Sequence, residues 1–255
     1  MKQSDIRVIN AHQQQYYERI EKDSVDELLK LFSDVMEKMK NRSTLRILDI
    51  GGASGNFALA LYEFFNNHCE VEVFVLDTTK YDTWVKFTDK ITFVVGSADN
   101  LDKLFEVNTF DLVFVNRTIH HFVRNSWKTS IDGIAIIMTQ IRSILKRNGN
   151  LCIVDFSFNG LLYDKASSKI IYALTSCKLP IITTVCKKLG GESAGIGVCF
   201  LSKQMWLNLF SQTGFIIEAF KEGKRNYDIA SPWYRRLCLF IKTVYENNVF
   251  ILEPV

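Results

Sequence analysis

The segment TLRILDIGGASGNFALAL, residues Thr44 to Leu61, combines a strand pattern, a glycine-rich turn and a helix pattern. Residues Arg46 to Ile50 have the pattern of a short buried strand. In the turn Gly51 to Gly55, small residues let the backbone bend sharply and approach a ligand closely. Asn56 can cap the helix that follows, whose apolar residues recur at helical spacing. Because such a turn lies at the carboxyl edge of a sheet, it predicts a site for a nucleotide-like ligand.

Two acidic residues near this turn narrow the choice of ligand. Asp77 ends the next apolar strand, at about the 20-residue distance that is usual for an acid hydrogen-bonded to a ribose hydroxyl. Asp49 lies directly before the turn, where it disfavours a phosphate and is suited to balancing a positively charged ligand group. The turn alone is a weak signal, and the two acids strengthen it.

Composition limits the class of protein. The chain has 255 residues, 47% of them apolar, and a net charge of +3, which fits a soluble α/β domain and disfavours a dedicated nucleic-acid surface. The six cysteines form no CxxC pair, so we expect mostly buried thiols in a reducing cytoplasm and no metal site. Residues 1–23 carry both charge signs, and no apolar run reaches the ~20 residues of a membrane span. We therefore expect a cytoplasmic protein without a signal peptide or transmembrane segment.

After Asp77 the chain alternates strand and helix patterns, which predicts a parallel sheet with right-handed crossovers. A long helix is predicted over Asn125 to Lys146, with Gly149 just past its end, and another over Pro232 to Tyr245. The further strands are predicted at Ile91–Val95, Phe110–Val115, Leu151–Phe156, Phe215–Phe220 and Val249–Leu252.

Three segments resemble motifs of the class I S-adenosylmethionine-dependent methyltransferases. The first motif of that family reads acid-x-Gly-x-Gly-x-Gly; Asp49, Gly51 and Gly55 match it, and Ala53 replaces the middle glycine. FDLVFVNRTIHHF, residues 110–122, resembles the fourth motif, in which paired histidines are frequent. LKRNGNLCIVDF resembles the segment that leads into the fifth strand. The resemblance extends roughly from Arg46 to Leu252.

The sequence has no internal repeats or low-complexity linkers, so we expect a single domain over residues 1–255. The resemblance implies that this domain is an α/β three-layer sandwich. Its seven-stranded, mostly parallel sheet has an antiparallel last strand. Residues 1–43 would form an N-terminal helical cap, and residues 157–200 a helical insertion after the fifth strand. A substrate-covering lid is the favoured interpretation of this insertion, because insertions there lie over the carboxyl edge. Plain packing or dimer contact, and association with a membrane surface, stay open.

The resemblance also implies the cofactor-binding residues. Asp77 would bind the ribose, and Ser97 stands where relatives have an aspartate that reads the adenine, so that role can shift to Asp99 or to the backbone. Tyr16 or Tyr17 on the N-terminal helix either faces the site or only packs that helix. The predicted set is Tyr17, Asp49, Gly51, Gly52, Ala53, Gly55, Asp77, Thr78, Ser97, Ala98, Asp99, Asn116 and Arg117.

His120 and His121 are the candidate catalytic residues, because they follow the fourth strand and a histidine suits general-base work on a hydroxyl acceptor. In relatives a histidine at this place often holds the loop by a hydrogen bond, and that structural role is the favoured alternative. Arg117 could orient an anionic acceptor or remain a solvated loop charge.

The predicted function is therefore methyl transfer from S-adenosylmethionine to a small molecule. An apolar or aromatic acceptor is favoured by the many aromatic residues of the second half, and O-methylation is placed slightly ahead of N- or C-methylation. One alternative is a catalytically silent protein that binds the cofactor or a partner, since Ala53 and Ser97 depart from the motifs. Another is an NAD-dependent oxidoreductase, which Asn56 disfavours because it occupies the third-glycine position. A homodimer is possible.

Overall fold

The computed structural model describes residues 11–188, 191, 193–226 and 233–255; the side chains of residues 11–14, 16, 17 and 233–235 lie outside the description. The chain divides into two compact units. Unit 1 comprises residues 1–116, 140–153 and 251–255, and unit 2 comprises residues 117–139 and 154–250.

The described residues form helices and strands that alternate along much of the chain. The helices are α1 Ala11–Leu31, α2 Ser33–Met39, α3 Asn56–Phe65, α4 Leu101–Leu104, α5 Trp127–Ile144, α6 Ala166–Ser176, α7 Pro180–Lys188, α8 Lys203–Gln212 and α9 Trp233–Cys238. The strands are β1 Thr44–Ile50, β2 Glu70–Asp77, β3 Ile91–Val95, β4 Phe110–Asn116, β5 Leu145–Gly160, β6 Phe215–Lys221, β7 Lys224–Arg225 and β8 Ile241–Pro254.

The strands hydrogen-bond in the order β3-β2-β1-β4-β5-β8-β6, and the two-residue strand β7 pairs with β8. Strand β1 is parallel to both β2 and β4, and β2 is parallel to β3, whereas β7 and β8 are antiparallel. The predicted α/β fold, with a mostly parallel sheet and one antiparallel strand, is confirmed. The short β7 is an addition that the sequence did not indicate.

The strand register brings the ends of β1, β2, β3 and β4 to one edge. Ile50 pairs with Leu76 on one side and with Val115 on the other. The Gly51 N–H donates to the Leu76 carbonyl at 2.7 Å, and the Gly96 N–H donates to the Asp77 carbonyl at 2.9 Å. The segments that follow these four strands therefore begin at one level, as expected for a parallel sheet.

Two predicted helix boundaries are wrong. Helix α5 ends at Ile144, and Gly149 lies inside β5, where an added Cβ would come within 2.8 Å of the Asp111 carbonyl oxygen. The glycine permits close approach to β4 and does not end the helix. In the predicted helix from Pro232 to Tyr245, Pro232 lies outside the described residues, α9 ends at Cys238 and the segment from Ile241 belongs to β8. Ile241 and Val244 fit helical spacing, but strand pairing and β-branched residues override it.

The cysteine prediction is only partly right. Cys152 and Cys199 are buried, but Cys69, Cys177 and Cys186 are partly exposed and Cys238 is exposed, and all six are free thiols. Burial raises the pKa of Cys199 to about 12, so this thiol stays protonated and unreactive.

Among the described residues no single helix is long and apolar enough to cross a membrane. Helices α6 and α7 are long and apolar enough when taken together, and they are bent by 119° at their break.

An aromatic cluster holds the helix after the glycine turn onto the sheet of unit 1. Phe32, Phe57 from α3 and Phe114 from β4 are each at most 1% exposed. The Phe114 ring lies edge-on to both partners, with centroid distances of 5.0 Å to Phe32 and 5.3 Å to Phe57. Such pairs add to the free energy gained by burying the rings. The first residues of α3 are thereby fixed beside the end of β1.

We expect Phe114→Ala to lower the free energy of unfolding by about 3–5 kcal/mol, because it leaves a cavity between two rings. Urea denaturation followed by circular dichroism measures the change. Val107→Ala, at a side chain that is 68% exposed, is the matched control and should change stability by less than about 0.5 kcal/mol. A loss below about 1 kcal/mol for Phe114→Ala would contradict the packing described.

Candidate functional site

The glycine turn of unit 1 is hydrogen-bonded to Asp77, the acid at the end of β2. The Ala53 N–H donates to Asp77 Oδ2 at 3.2 Å, and the Thr79 N–H donates to Asp77 Oδ1 at 2.9 Å. Gly51, Ala53 and Gly55 have φ angles of 73°, 40° and 85°, in the left-handed region that glycine adopts most easily. Ala53 adopts it as well, so its replacement of the motif's middle glycine leaves the turn intact.

Close contacts explain why the other small residues of the turn are needed. A Cβ added to Gly52 would lie 2.5 Å from Asp49 Oδ2, and one added to Gly55 would lie 2.8 Å from the Phe93 ring. The Trp84 indole stacks on Phe93 with a centroid distance of 4.6 Å and donates Nε1–H to the Ala53 carbonyl at 2.7 Å. The turn is therefore packed between the Asp49 carboxylate and an aromatic pair.

Glu21 on α1 is a site residue that the sequence did not reveal. Its carboxylate accepts hydrogen bonds from the backbone N–H of Ser54 at 3.1 Å, from the backbone N–H of Phe57 at 3.1 Å and from the Ser54 hydroxyl. The N-cap of α3 is Gly55, whose missing side chain cannot cap the helix, so Glu21 supplies the acceptors for its first turn. No local pattern could indicate this, because 33 residues separate Glu21 from Ser54.

Glu21, Asp49 and Asp77 form an acidic cluster around the turn. Burial is the main cause that raises the pKa of Asp49 well above its usual value, and the charges of Glu21 and Asp77 raise it further. Burial also raises the pKa of Glu21 and of Asp77, partly offset by the hydrogen bonds that each accepts. In the part of the chain that the structure describes, none of the three carboxylates has an ion-pair partner. The cluster is therefore suited to a positively charged ligand group.

The acidic cluster does not have the arrangement of a metal centre. Across the described ranges, no group of three or more His, Cys, Asp or Glu side chains could hold a metal ion.

The predicted adenine-reading residues lie beside the end of β2. The Ser97 hydroxyl accepts a hydrogen bond from the Asp99 N–H at 3.2 Å and so caps the short turn of helix Ala98–Asn100. The Gly96–Asp77 bond places this turn next to the acid. Thr79, 6% exposed, carries a buried hydroxyl with no hydrogen-bond partner among the described residues. A buried hydroxyl of this kind is costly unless a ligand or water binds it.

The remaining predicted cofactor residues occupy different places. Thr78 directly follows Asp77, and Asn116 is the last residue of β4. Tyr17 lies on α1, but its side chain is outside the described residues, as is that of Tyr16. Arg117 belongs to unit 2, has a φ of 50° and donates Nε–H to Asn247 Oδ1 at 2.9 Å. For Arg117 this contact shows a structural role in the loop after β4.

In unit 2, His120 is paired with a carboxylate that the sequence did not single out. His120 Nδ1 lies 2.7 Å from Asp155 Oδ1, and the His120 backbone N–H donates to Asp155 Oδ2 at 3.3 Å. Since a carboxylate only accepts, the proton of a neutral His120 ring is placed on Nδ1. Nε2 then carries the lone pair, and it has no hydrogen-bond partner among the described residues.

Aromatic rings fix the orientation of this imidazole. The Phe200 ring stacks on His120 at 4.7 Å and on Phe158 at 4.3 Å, and Phe156 meets His120 edge-on at 5.9 Å. Burial and the neighbouring His120 lower the pKa of His121 well below its usual value. His121 is therefore a weak base near neutral pH. His120 has the anchoring hydrogen bond to Asp155 and a ring nitrogen, Nε2, without a partner in the described residues.

Comparison with known proteins shows the family to which the chain belongs. A family model described as a methyltransferase domain matches residues 41–214. The chain belongs to this family, the class I S-adenosylmethionine-dependent methyltransferases. No protein with a curated description matches the chain by sequence.

Solved structures share the fold at low sequence identity. A chain of the complex between the Haloferax volcanii Trm112 methyltransferase activator and the putative methyltransferase is 14% identical, with a TM-score of 0.59, over 97% of this chain and 99% of that one. A Pyrococcus horikoshii OT3 protein is 17% identical, with a TM-score of 0.55, over 99% and 94%. A putative methyltransferase from Bacillus halodurans C-125 is 14% identical, with a TM-score of 0.54, over 88% and 99%.

The acidic cluster makes stability depend on pH in a defined direction. A carboxyl whose pKa is raised in the folded state binds more protons there than in the unfolded chain, so stability falls as the pH rises through the folded pKa. We expect Asp49→Asn to be more stable than the wild type at pH 8 and to show a shallower decline between pH 5 and 8.

Urea denaturation of the ligand-free protein at several pH values measures this difference. Asp102→Asn, at an exposed carboxylate of α4, is the control and should follow the wild-type curve. If Asp49→Asn were less stable than the wild type at pH 8, the cluster would not be the repulsive arrangement described.

Proposed function

We propose that the chain transfers a methyl group from S-adenosylmethionine to the oxygen of a small apolar or aromatic acceptor. The observation that carries the cofactor assignment is the acidic cluster around the glycine turn, which lacks a basic partner in the described residues. S-adenosylmethionine brings a sulfonium, an ammonium and a ribose diol to such a site. The methyl on its sulfonium is already activated, so the cofactor supplies the hard chemistry.

The residues of unit 1 fit this cofactor. Asp77 would hold the ribose, and Asp49, pressed against Gly52, would face the positively charged part. The Ser97 turn, Asp99 and the backbone at Ala98 would read the adenine, and the unpartnered Thr79 hydroxyl offers a further ligand contact. Tyr17, Thr78, Asn116 and Arg117 remain in the proposed set on the resemblance alone.

The same residues disfavour a diphosphate cofactor such as NAD. A phosphate bound at the turn would use the N–H groups at the start of α3, and Glu21 already occupies those of Ser54 and Phe57. It would also lie near two further carboxylates, Asp49 and Asp77. The electrostatics of unit 1 therefore favour a cation over an anion.

His120 is the proposed general base for the acceptor. Asp155 holds the proton on Nδ1 and so keeps Nε2 ready to accept the proton of a hydroxyl, while Phe200 and Phe156 restrict the ring. Asp155 is a positioning residue, since it acts through His120. A general base of this kind contributes typically 10²–10⁴-fold to the rate. The larger part of the barrier reduction, about 7–11 kcal/mol, is expected from aligning the reactants.

The acceptor preference rests on the surroundings of His120. Phe156 and Phe200 are only partly buried, and they present aromatic surface next to the imidazole. Phe200 belongs to the segment 157–200, which we propose supplies part of the acceptor site. Flat aromatic hydroxyl compounds suit such surroundings.

We expect Asp77→Ala to weaken S-adenosylmethionine binding at least tenfold in isothermal titration calorimetry. Because Asp77 also accepts the Ala53 N–H, Asp77→Asn is the companion variant, since its amide oxygen can keep that bond. Asp89→Ala, at an exposed carboxylate, is the control. Unchanged affinity in both Asp77 variants would refute the ribose role, and tighter binding of NAD by the wild type would refute the cofactor.

We expect His120→Asn to lower kcat by 10²-fold or more with phenolic acceptors. Asp155→Asn should lower kcat with little change in KM and should shift the pH–rate profile. The assay measures formation of S-adenosylhomocysteine with phenol, catechol and 1-naphthol as acceptors. His68→Asn, at an exposed histidine of unit 1, is the control. Cofactor binding without any transfer to oxygen, nitrogen or carbon acceptors would instead support the catalytically silent alternative.

A further inference from the structure

One residue of unit 1, Glu21, both caps helix α3 and belongs to the acidic cluster. Glu21 accepts hydrogen bonds from the Ser54 N–H and hydroxyl and from the Phe57 N–H. These bonds attach α1 to the turn at its junction with α3. Asp49 lies against the same turn, since its Oδ2 is 2.5 Å from the place that a Cβ on Gly52 would take. The charge of Glu21 accordingly adds to the rise in the pKa of Asp49. Glu21 therefore attaches α1 to the turn and also contributes to the negative charge around the site.

The two roles of Glu21 oppose each other. The hydrogen bonds favour the position in which Glu21 contacts the turn, because among the described residues no other side chain accepts from the Ser54 or Phe57 N–H. The proximity of Asp49, 2% exposed, disfavours the ionised carboxylate, because like charges repel strongly where water is excluded. No basic side chain of the described residues pairs with Glu21, Asp49 or Asp77. A cation at the site would therefore reduce the repulsion and stabilise the contact of α1 with the turn.

We propose that Glu21 makes the attachment of α1 depend on the charge of the bound cofactor, so that the chain holds S-adenosylmethionine more tightly than S-adenosylhomocysteine. This inference rests on the proposed cofactor. The two molecules differ by one methyl group and one positive charge, since methyl transfer leaves a neutral thioether in place of the sulfonium. With the product bound, no sulfonium charge offsets the negative charge of the acidic cluster, so the contact between Glu21 and the turn is less stable. Release of the product is favoured as a result.

A purely structural cap would behave differently. If Glu21 only completed the first turn of α3, its replacement would lower the affinities for the two ligands by the same factor. A charge-dependent attachment instead changes the ratio of the two affinities. That ratio is the quantity to measure, and it requires no knowledge of the methyl acceptor.

The test compares the wild type with Glu21→Gln by titration calorimetry against each of the two ligands. Glutamine has the same size and keeps one acceptor oxygen, but it carries no charge. We expect the preference for S-adenosylmethionine over S-adenosylhomocysteine to fall about tenfold in Glu21→Gln, equivalent to about 1.4 kcal/mol. Asp26→Asn, which neutralises an exposed carboxylate on the same helix, should leave the preference unchanged.

An unchanged preference in Glu21→Gln would overturn the inference while leaving the proposed cofactor intact. A wild type that binds neither ligand would refute the proposed cofactor, and the inference would fall with it.

Hydrogen exchange gives a second measurement that does not depend on activity. In the wild type, the amides of Ser54, Phe57 and α1 should exchange more slowly with S-adenosylmethionine bound than with S-adenosylhomocysteine bound. The difference should disappear in Glu21→Gln and persist in Asp26→Asn. Equal protection by the two ligands in the wild type would contradict the charge-dependent attachment of α1.

Discussion

The repulsion among three carboxylates at one backbone turn is the physical constraint that sets the electrostatics of the candidate site in unit 1. Asp49 is buried, Glu21 and Asp77 are partly buried, and in the described residues none of them faces a lysine or an arginine. Such an arrangement costs free energy in the ligand-free protein. Backbone N–H groups of the turn offset part of that cost by donating to Glu21 and Asp77. The remaining imbalance favours a positively charged ligand group at the turn over a negatively charged one.

The packing around the turn explains how the fold tolerates the free-energy cost of the uncompensated carboxylates. The aromatic cluster of Phe32, Phe57 and Phe114 secures α3, and the stacked pair of Trp84 and Phe93 supports the turn from another side. These apolar contacts lie outside the acidic cluster and stabilise the fold independently of it. The arrangement fits the general observation that functional sites are less stable than they could be.

The sequence predicted the parts of the site that follow from local patterns. The turn and the acid at the end of β2 each lie at the end of an apolar strand, and the parallel pairing of β1 with β2 brings them together within unit 1. The polar residues after β4 likewise follow an apolar strand. Gly149 and Ile241 misled the prediction, because a glycine stop and helical spacing are also compatible with strands that pair closely.

Glu21 and Asp155 were missed for a different reason. Their partners are 33 and 35 residues away in the chain, and no single-sequence pattern reports contacts at that distance. Asp155 lay inside a predicted strand but had no feature that distinguished it before His120 was found beside it. Long-range hydrogen bonds to carboxylates are thus the part of the site that only the structure reveals.

In the proposed site, the acidic cluster receives the positively charged part of S-adenosylmethionine. A crystal structure of the protein soaked with that cofactor tests this most directly. We expect density at the glycine turn, with the ribose on Asp77 and an ammonium or sulfonium facing Asp49. Density for the cofactor elsewhere, or a turn closed by protein side chains after soaking, would contradict it.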